Sequence, residues 1–96
     1  MLTDDSIVVA AREQFACELQ ADLLVLNAAS GFYYGLNPLG KRIWQLIQEP
    51  TEVGAVRDQL LKEFDVDRER CVGELKVFLQ DMAQNGLVEV KGAPAA

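Results

Sequence analysis

The dipeptide Asn37-Pro38 divides this chain into two kinds of sequence. Before it apolar residues tend to recur at every second position; after it they recur at every third or fourth. Strands first and helices afterwards predict an α+β domain. Phe15, Cys17 and Leu19 alternate with Ala16, Glu18 and Gln20, the signature of a half-buried strand. The run 22–27 is apolar at both parities, as expected of a middle strand. A turn at 28–31 ending in Gly leads to Phe32-Tyr33-Tyr34-Gly35-Leu36, where alternation sends Phe32, Tyr34 and Leu36 to the core. Three strands so close together predict an antiparallel meander over about 14–36. Gln20-Ala21 is a poor two-residue hairpin turn. Ile7–Ala10 is a short β-prone run with no evident partner.

Asn37 can accept a hydrogen bond from the first helical turn, and Pro38 suits the first helical position. Leu39, Ile43, Leu46 and Ile47 then share one face, and Glu49-Pro50 stops the helix. Thr51 is the expected cap of a second helix carrying Val53, Val56, Leu60 and Phe64. Asp67 caps a third, with Cys71, Val72, Leu75, Phe78, Leu79 and Met82 on one arc. Asn85-Gly86 closes it in a left-handed turn. Helices are thus expected near 38–48, 52–64 and 68–85, followed by a short strand at 87–90 and a frayed tail from Lys91. The whole is a winged-helix-like arrangement preceded by a meander, one domain over residues 1–96 with an ordered core of about 14–90.

Composition narrows the function. The 96 residues carry 9 Lys and Arg against 15 Asp and Glu, a net charge of −6, with no His. Without His there is no Ser-His-Asp or Cys-His nucleophile, and the commonest zinc ligand is missing. The two cysteines, Cys17 and Cys71, form no CxxC pair and sit in apolar periodic patterns, so both are expected as buried thiols in a reducing, cytoplasmic setting. The acidic N-terminus lacks a signal-peptide pattern, and no apolar run approaches the ~20 residues that cross a bilayer. No cofactor motif or metal-ligand spacing appears: Asp65, Asp67 and Glu69 lack the loop glycine and distal Glu of a calcium loop. Asp65 and Asp67 read as a turn acid and a helix cap rather than a catalytic pair. An enzyme is not expected.

A winged-helix-like layout invites a DNA-binding or protein-binding regulatory reading through the third helix. The exposed face of that helix carries Gly73, Val77, Gln80, Asp81 and Gln84, with no Lys or Arg to meet a phosphate lattice. The aromatic strand points elsewhere. As the last strand of a meander it has an unpaired edge, and residues 31–37 supply neither charge nor Pro to defend it. An undefended edge accepts another strand, a recurrent mode of peptide binding.

The stretch Gly31-Phe-Tyr-Tyr-Gly-Leu-Asn-Pro-Leu-Gly-Lys-Arg-Ile-Trp44 resembles the "G-x-Y-Y-x-L-N-x-x-G-x-x-I-W" core of the PqqD-like family, the leader-peptide-binding domains called RiPP recognition elements. The similarity continues through Pro50-Thr51, 63–67 and 85–90. It implies a non-catalytic chaperone that captures the leader of a ribosomally made precursor peptide by strand addition and presents it to a tailoring enzyme. By position, it implies peptide contacts at Phe32, Tyr33, Tyr34, Gly35 and Leu36. Along one border of the third helix it implies further contacts at Cys71, Glu74, Phe78 and Asp81. The tyrosine motif looks most like the stand-alone lasso-peptide members, whose partner is a leader-cleaving cysteine protease; pyrroloquinoline-quinone members work with a radical enzyme. On the grounds of charge, apolar run length and missing motifs, no nucleic acid, membrane or cofactor is expected. The open strand edge also allows a homodimer.

Overall fold

A computed structural model describes residues 2–12, 14–20, 22–31 and 33–92. The elements in chain order are β1 (Ile7–Ala10), β2 (Gln14–Leu19), β3 (Asp22–Asn27), β4 (Tyr33–Leu36), α1 (Pro38–Leu46), β5 (Thr51–Glu52), α2 (Val53–Glu63), α3 (Arg68–Gln84) and β6 (Val88–Gly92). The α+β class holds: a meander, then three helices, with further strands that complete a winged-helix-like topology.

The strands form two antiparallel sheets, ordered β2-β3-β4 and β5-β1-β6. The first is the expected meander. In the second, Ile7–Ala10 is the central strand rather than an unpaired run. Val8 faces Thr51 on one side and Val90 on the other. Its partners lie far along the chain, which is why local sequence does not reveal them. The last strand correspondingly runs to Gly92 and takes in Lys91, which was expected in the tail.

Helix boundaries follow from local chemistry. The Asn37 side chain accepts the Gly40 N–H at 2.8 Å with Pro38 in the first turn, and Asp67 accepts the Arg70 N–H at 3.2 Å. Gly86, at φ 74°, closes α3: its N–H reaches Ala83 O at 3.2 Å, and the Leu87 N–H reaches Met82 O at 2.9 Å. These two bonds define a Schellman motif. Thr51 is not the cap of α2. Its hydroxyl donates to the carbonyls of Leu46 and Glu49, and Glu52 occupies the cap position without a side-chain bond. The free N–H groups of the first turn are met from afar instead, Val53 by Ser6 O and Gly54 by Asp4 O, both at 2.9 Å.

The core lies between the sheets and the helices. Val8, Val25, Ile47, Leu60, Leu79 and Leu87 are each 0% exposed, joined by Trp44 at 3%, whose burial the helical pattern did not single out. β3 sends Leu23, Val25 and Asn27 inward. β2 departs from expectation. Phe15 is 68% and Leu19 52% exposed, and Cys17 is an exposed free thiol. The register explains it. Phe15 lies opposite Leu26, Cys17 opposite Leu24 and Leu19 opposite Asp22, so this row shares the face of β3 that the helices do not cover. The alternation was real, but it marks the outer face. At the hairpin, Gln20 takes φ 55°, a conformation that favours glycine.

Candidate functional site

β4 is where chain order, charge and neighbours combine. It ends the β2-β3-β4 sheet, paired to β3 through Leu26–Tyr33, Val25–Tyr34, Leu24–Gly35 and Leu23–Leu36. No strand lies beyond it among the described residues. Leu36 is buried, Tyr34 half-buried, and Tyr33 and Gly35 are exposed, the alternation expected of this strand. Phe32 lies outside the described residues. A Cβ on Gly35 would meet nothing within 4 Å, so packing within the chain does not demand glycine there. What the missing side chain leaves is bare backbone, open to close approach by another chain.

A cavity of about 150 Å³ runs beside this strand. Tyr34, Gly35 and Leu36 wall one side, and Phe78, Asp81 and Met82 of α3 wall the other. Gly40, on α1, lets the wall form: a Cβ there would lie 3.3 Å from Phe78 Cε2 and from Leu36 Cβ. Phe78 is half-buried and packs against the core cluster without belonging to its fully buried centre. A second cavity, about 340 Å³, opens nearer the start of α3 and is lined by Leu39, Val66, Arg70, Cys71 and Glu74 with the turn acids Asp65 and Asp67. Cys71, Glu74, Phe78 and Asp81 fall at three- and four-residue steps, so one stripe of α3 serves both cavities.

The stripe is acidic where it meets water. Asp81 and Glu74 are both exposed, and Glu74 pairs with Arg70 at 3.0 Å. Cys71 is 2% exposed, and burial pushes its thiol pKa up, with the nearby Glu74 charge adding to the effect. It is a wall, not a nucleophile.

Two residues that sequence reasoning did not assign hold the groove in shape. The Asn85 side-chain amide donates to the Tyr34 hydroxyl and, at 2.8 Å, to the Asp81 carbonyl. Asn27 is 7% exposed and donates to the Asn85 carbonyl at 2.9 Å. Its side-chain oxygen accepts the Ala29 N–H at 2.9 Å and the Ser30 N–H at 3.3 Å. The turn before β4, β4 itself and the end of α3 are thus bolted together. Asn85 was visible only as a helix stop, because its partner is 51 positions away.

A wider cleft of about 970 Å³ lies between β1, β6 and the Asn27 turn, away from the β4 edge. Its lining mixes Arg12 and Lys91 with Glu49 and Glu89, without a bias of sign that would select a ligand. No group of three or more potential metal ligands occurs among the described residues, and no helix there is long and apolar enough to cross a membrane.

This arrangement, a meander with an open edge beside the last helix, is the architecture of a known family. Residues 22–88 match the family described as coenzyme PQQ synthesis protein D (PqqD), and the chain belongs to it. Two solved structures show the same fold. One, described as TbiB1 in complex with the TbiA(beta) leader peptide, is 25% identical with a TM-score of 0.75, over 91% of this chain and 99% of that one. The other, lasso peptide synthetase B1 complexed with the leader peptide, is 20% identical with a TM-score of 0.73, over 85% and 96%. No curated protein sequence matches the chain.

Proposed function

We propose that this protein is a non-catalytic peptide-binding chaperone. It captures the leader of a ribosomally synthesised precursor peptide by strand addition to β4 and presents it to a separate tailoring enzyme. The observation that carries the reading is the position of β4, an uncharged strand that ends its sheet among the described residues and faces a groove against α3. Family membership and the leader peptides named in both structural relatives support it.

In this reading Tyr33, Tyr34, Gly35 and Leu36, with Phe32 before them, offer main-chain groups to the leader. Ladder bonds supply affinity and the flanking cavities supply sequence preference. Phe78 floors the smaller cavity for an apolar leader side chain, Cys71 lines the larger, and Glu74 and Asp81 select a basic or polar neighbour. Holding the leader raises the local concentration of the attached substrate near the enzyme. The lasso-type motif favours a leader-cleaving cysteine protease as that enzyme.

Titration with the precursor peptide tests the reading. Amide exchange in Tyr33–Leu36 is expected to slow on leader addition; protection confined to α2 would overturn strand addition. Phe78→Ala is expected to weaken leader binding more than tenfold, about 1.4 kcal/mol. Because Phe78 is only half-buried, its stability cost should fall below the about 3–5 kcal/mol of a fully buried Phe. Unchanged leader affinity would remove α3 from the site.

A further inference from the structure

Strand addition at β4 uses one end of the meander. At the other end, β2 also has no strand beyond it among the described residues. β2 pairs with β3 over all 6 of its residues without a bulge, and it carries one charge, Glu18, and no Pro. Edge strands are usually defended by charges, Pro, bulges or a helix laid over them. Here the helices do not cover the strand. Every residue after Gln14 is exposed, including Ala16 and Glu18 on the side of Val25 and Leu23.

The hairpin fixes which main-chain groups of β2 point away from β3. Leu19 and Asp22, three positions apart, face each other across the turn, the i and i+3 places that hydrogen-bond in a tight turn. Bonded and non-bonded pairs alternate along an antiparallel ladder. Leu19, Cys17 and Phe15 therefore turn their N–H and C=O groups to β3, and Glu18, Ala16 and Gln14 turn theirs outward.

We propose that β2 pairs with β2 of a second copy, antiparallel and centred on Cys17, joining two meanders into one six-stranded sheet with a β4 edge at each end. About that centre Ala16 exchanges both main-chain bonds with the partner's Glu18, and Glu18 does so with the partner's Ala16. On the outer face Phe15 meets the partner's Leu19, an apolar cross-strand pair that the two-fold axis makes twice. Other centres fit worse. Pairing about Glu18 sets like charges opposite each other, and pairing about Ala16 runs Leu19 past the end of the partner's strand.

The register is what favours a second copy over other occupants. A peptide at β2 finds no helix beside it to read its side chains, whereas a second copy supplies its own complement. Each copy carries a net charge of −6, yet Glu18 lies 3.6 Å from Lys41, and exposed charges more than about 8 Å apart are largely screened at physiological ionic strength. Strand pairing buries far less than the about 1,200 Å² at which stable interfaces begin, so the dimer is weak and reversible. It leaves β4 open, unlike a dimer through β4 itself, which would compete with the leader.

Sedimentation equilibrium of the full chain at rising concentration tests the pairing. A reversible dimer is expected, and Ala16→Pro should raise its Kd at least tenfold, because it removes an outward N–H while sparing the β3 ladder. Should Pro unfold the hairpin, Cys17→Lys sets like charges opposite each other on the axis and should raise the Kd in the same way. Oxidised glutathione gives a second readout. The Cα atoms of a non-bonded antiparallel pair lie about 4.5 Å apart, within the span of a disulfide. The two Cys17 thiols form one S–S bond, and their two electrons and two protons convert one oxidised glutathione to two reduced ones. The covalent dimer should be absent in Cys17→Ser and form much more slowly in Ala16→Pro. A chain that stays monomeric at every concentration would overturn the proposal, as would cross-linking equally fast in Ala16→Pro. A dimer indifferent to both Ala16→Pro and Cys17→Lys, or one that the synthetic leader dissociates, would place the contact elsewhere and also overturn it. Leader affinity is measured separately, so failure to bind leader would remove the peptide-capture reading and leave this inference standing.

Discussion

The sheets β5-β1-β6 and β2-β3-β4 each contain three antiparallel strands, yet they are used in opposite ways. Val8, in the middle of the first, is 0% exposed, whereas every residue of β2 after Gln14 is exposed. The first sheet joins segments remote in sequence and draws both ends of the described chain against the helices. The second is made of two local hairpins, and the helices cover one of its faces. Remote pairing in this protein encloses the core; local pairing builds a platform that, among the described residues, ends at β4 and keeps one face outside the helices. Apolar character does not separate the two, since Phe15 and Leu19 are as apolar as the residues of the core.

The largest expected effect sharpens this contrast directly. Leu87 is 0% exposed where α3 turns into β6, and Leu87→Ala should cost about 2–5 kcal/mol. Leu19→Ala on the platform should stay within about 0.5 kcal/mol. Urea denaturation measures both, and similar losses would show that the platform is part of the core. Next comes the joint between the regions. Asn27→Ala leaves the Ala29 N–H and the Asn85 carbonyl without their partner and should cost about 1–3 kcal/mol. Faster amide exchange at the 28–31 turn should accompany the loss; exchange accelerated only at β1 would place the joint elsewhere.

The smallest effect is chemical. Cys17 is exposed on the platform and Cys71 is buried with its thiol pKa raised. One equivalent of a thiol reagent should therefore react in the native protein at mildly alkaline pH, the second only on unfolding. Two fast-reacting thiols would mean that the α3 wall opens readily.

Much of the candidate site was legible. The undefended edge follows from the residue types at 33–36, whereas the α3 border came from the family resemblance; Phe78 and Asp81 lie against β4, and Cys71 and Glu74 line the neighbouring cavity. Tyr34 and Leu36 take the inward positions that alternation assigns them. The roles of Asn85, Asn27 and Gly40 were not legible, because each depends on a neighbour brought close only by folding. Thr51 misled for the same reason. A residue type favoured at helix starts stands next to a helix, but its hydroxyl turns back to the preceding turn while the N-terminal segment satisfies the new one.

What the sequence by itself determined is everything that closes within a few residues: the strand and helix periods, the Asn37 and Asp67 caps, and the Gly86 stop. These interactions depend on neighbours along the chain, so residue type and spacing suffice to specify them. Only the tertiary structure decided which side of an alternating strand meets the core and which strand Ile7–Ala10 joins. A period of two states that a strand has two faces; which one is buried depends on where the helices pack. On β2 they pack against the other side, and the apolar row that looked like core is the protein's outer surface.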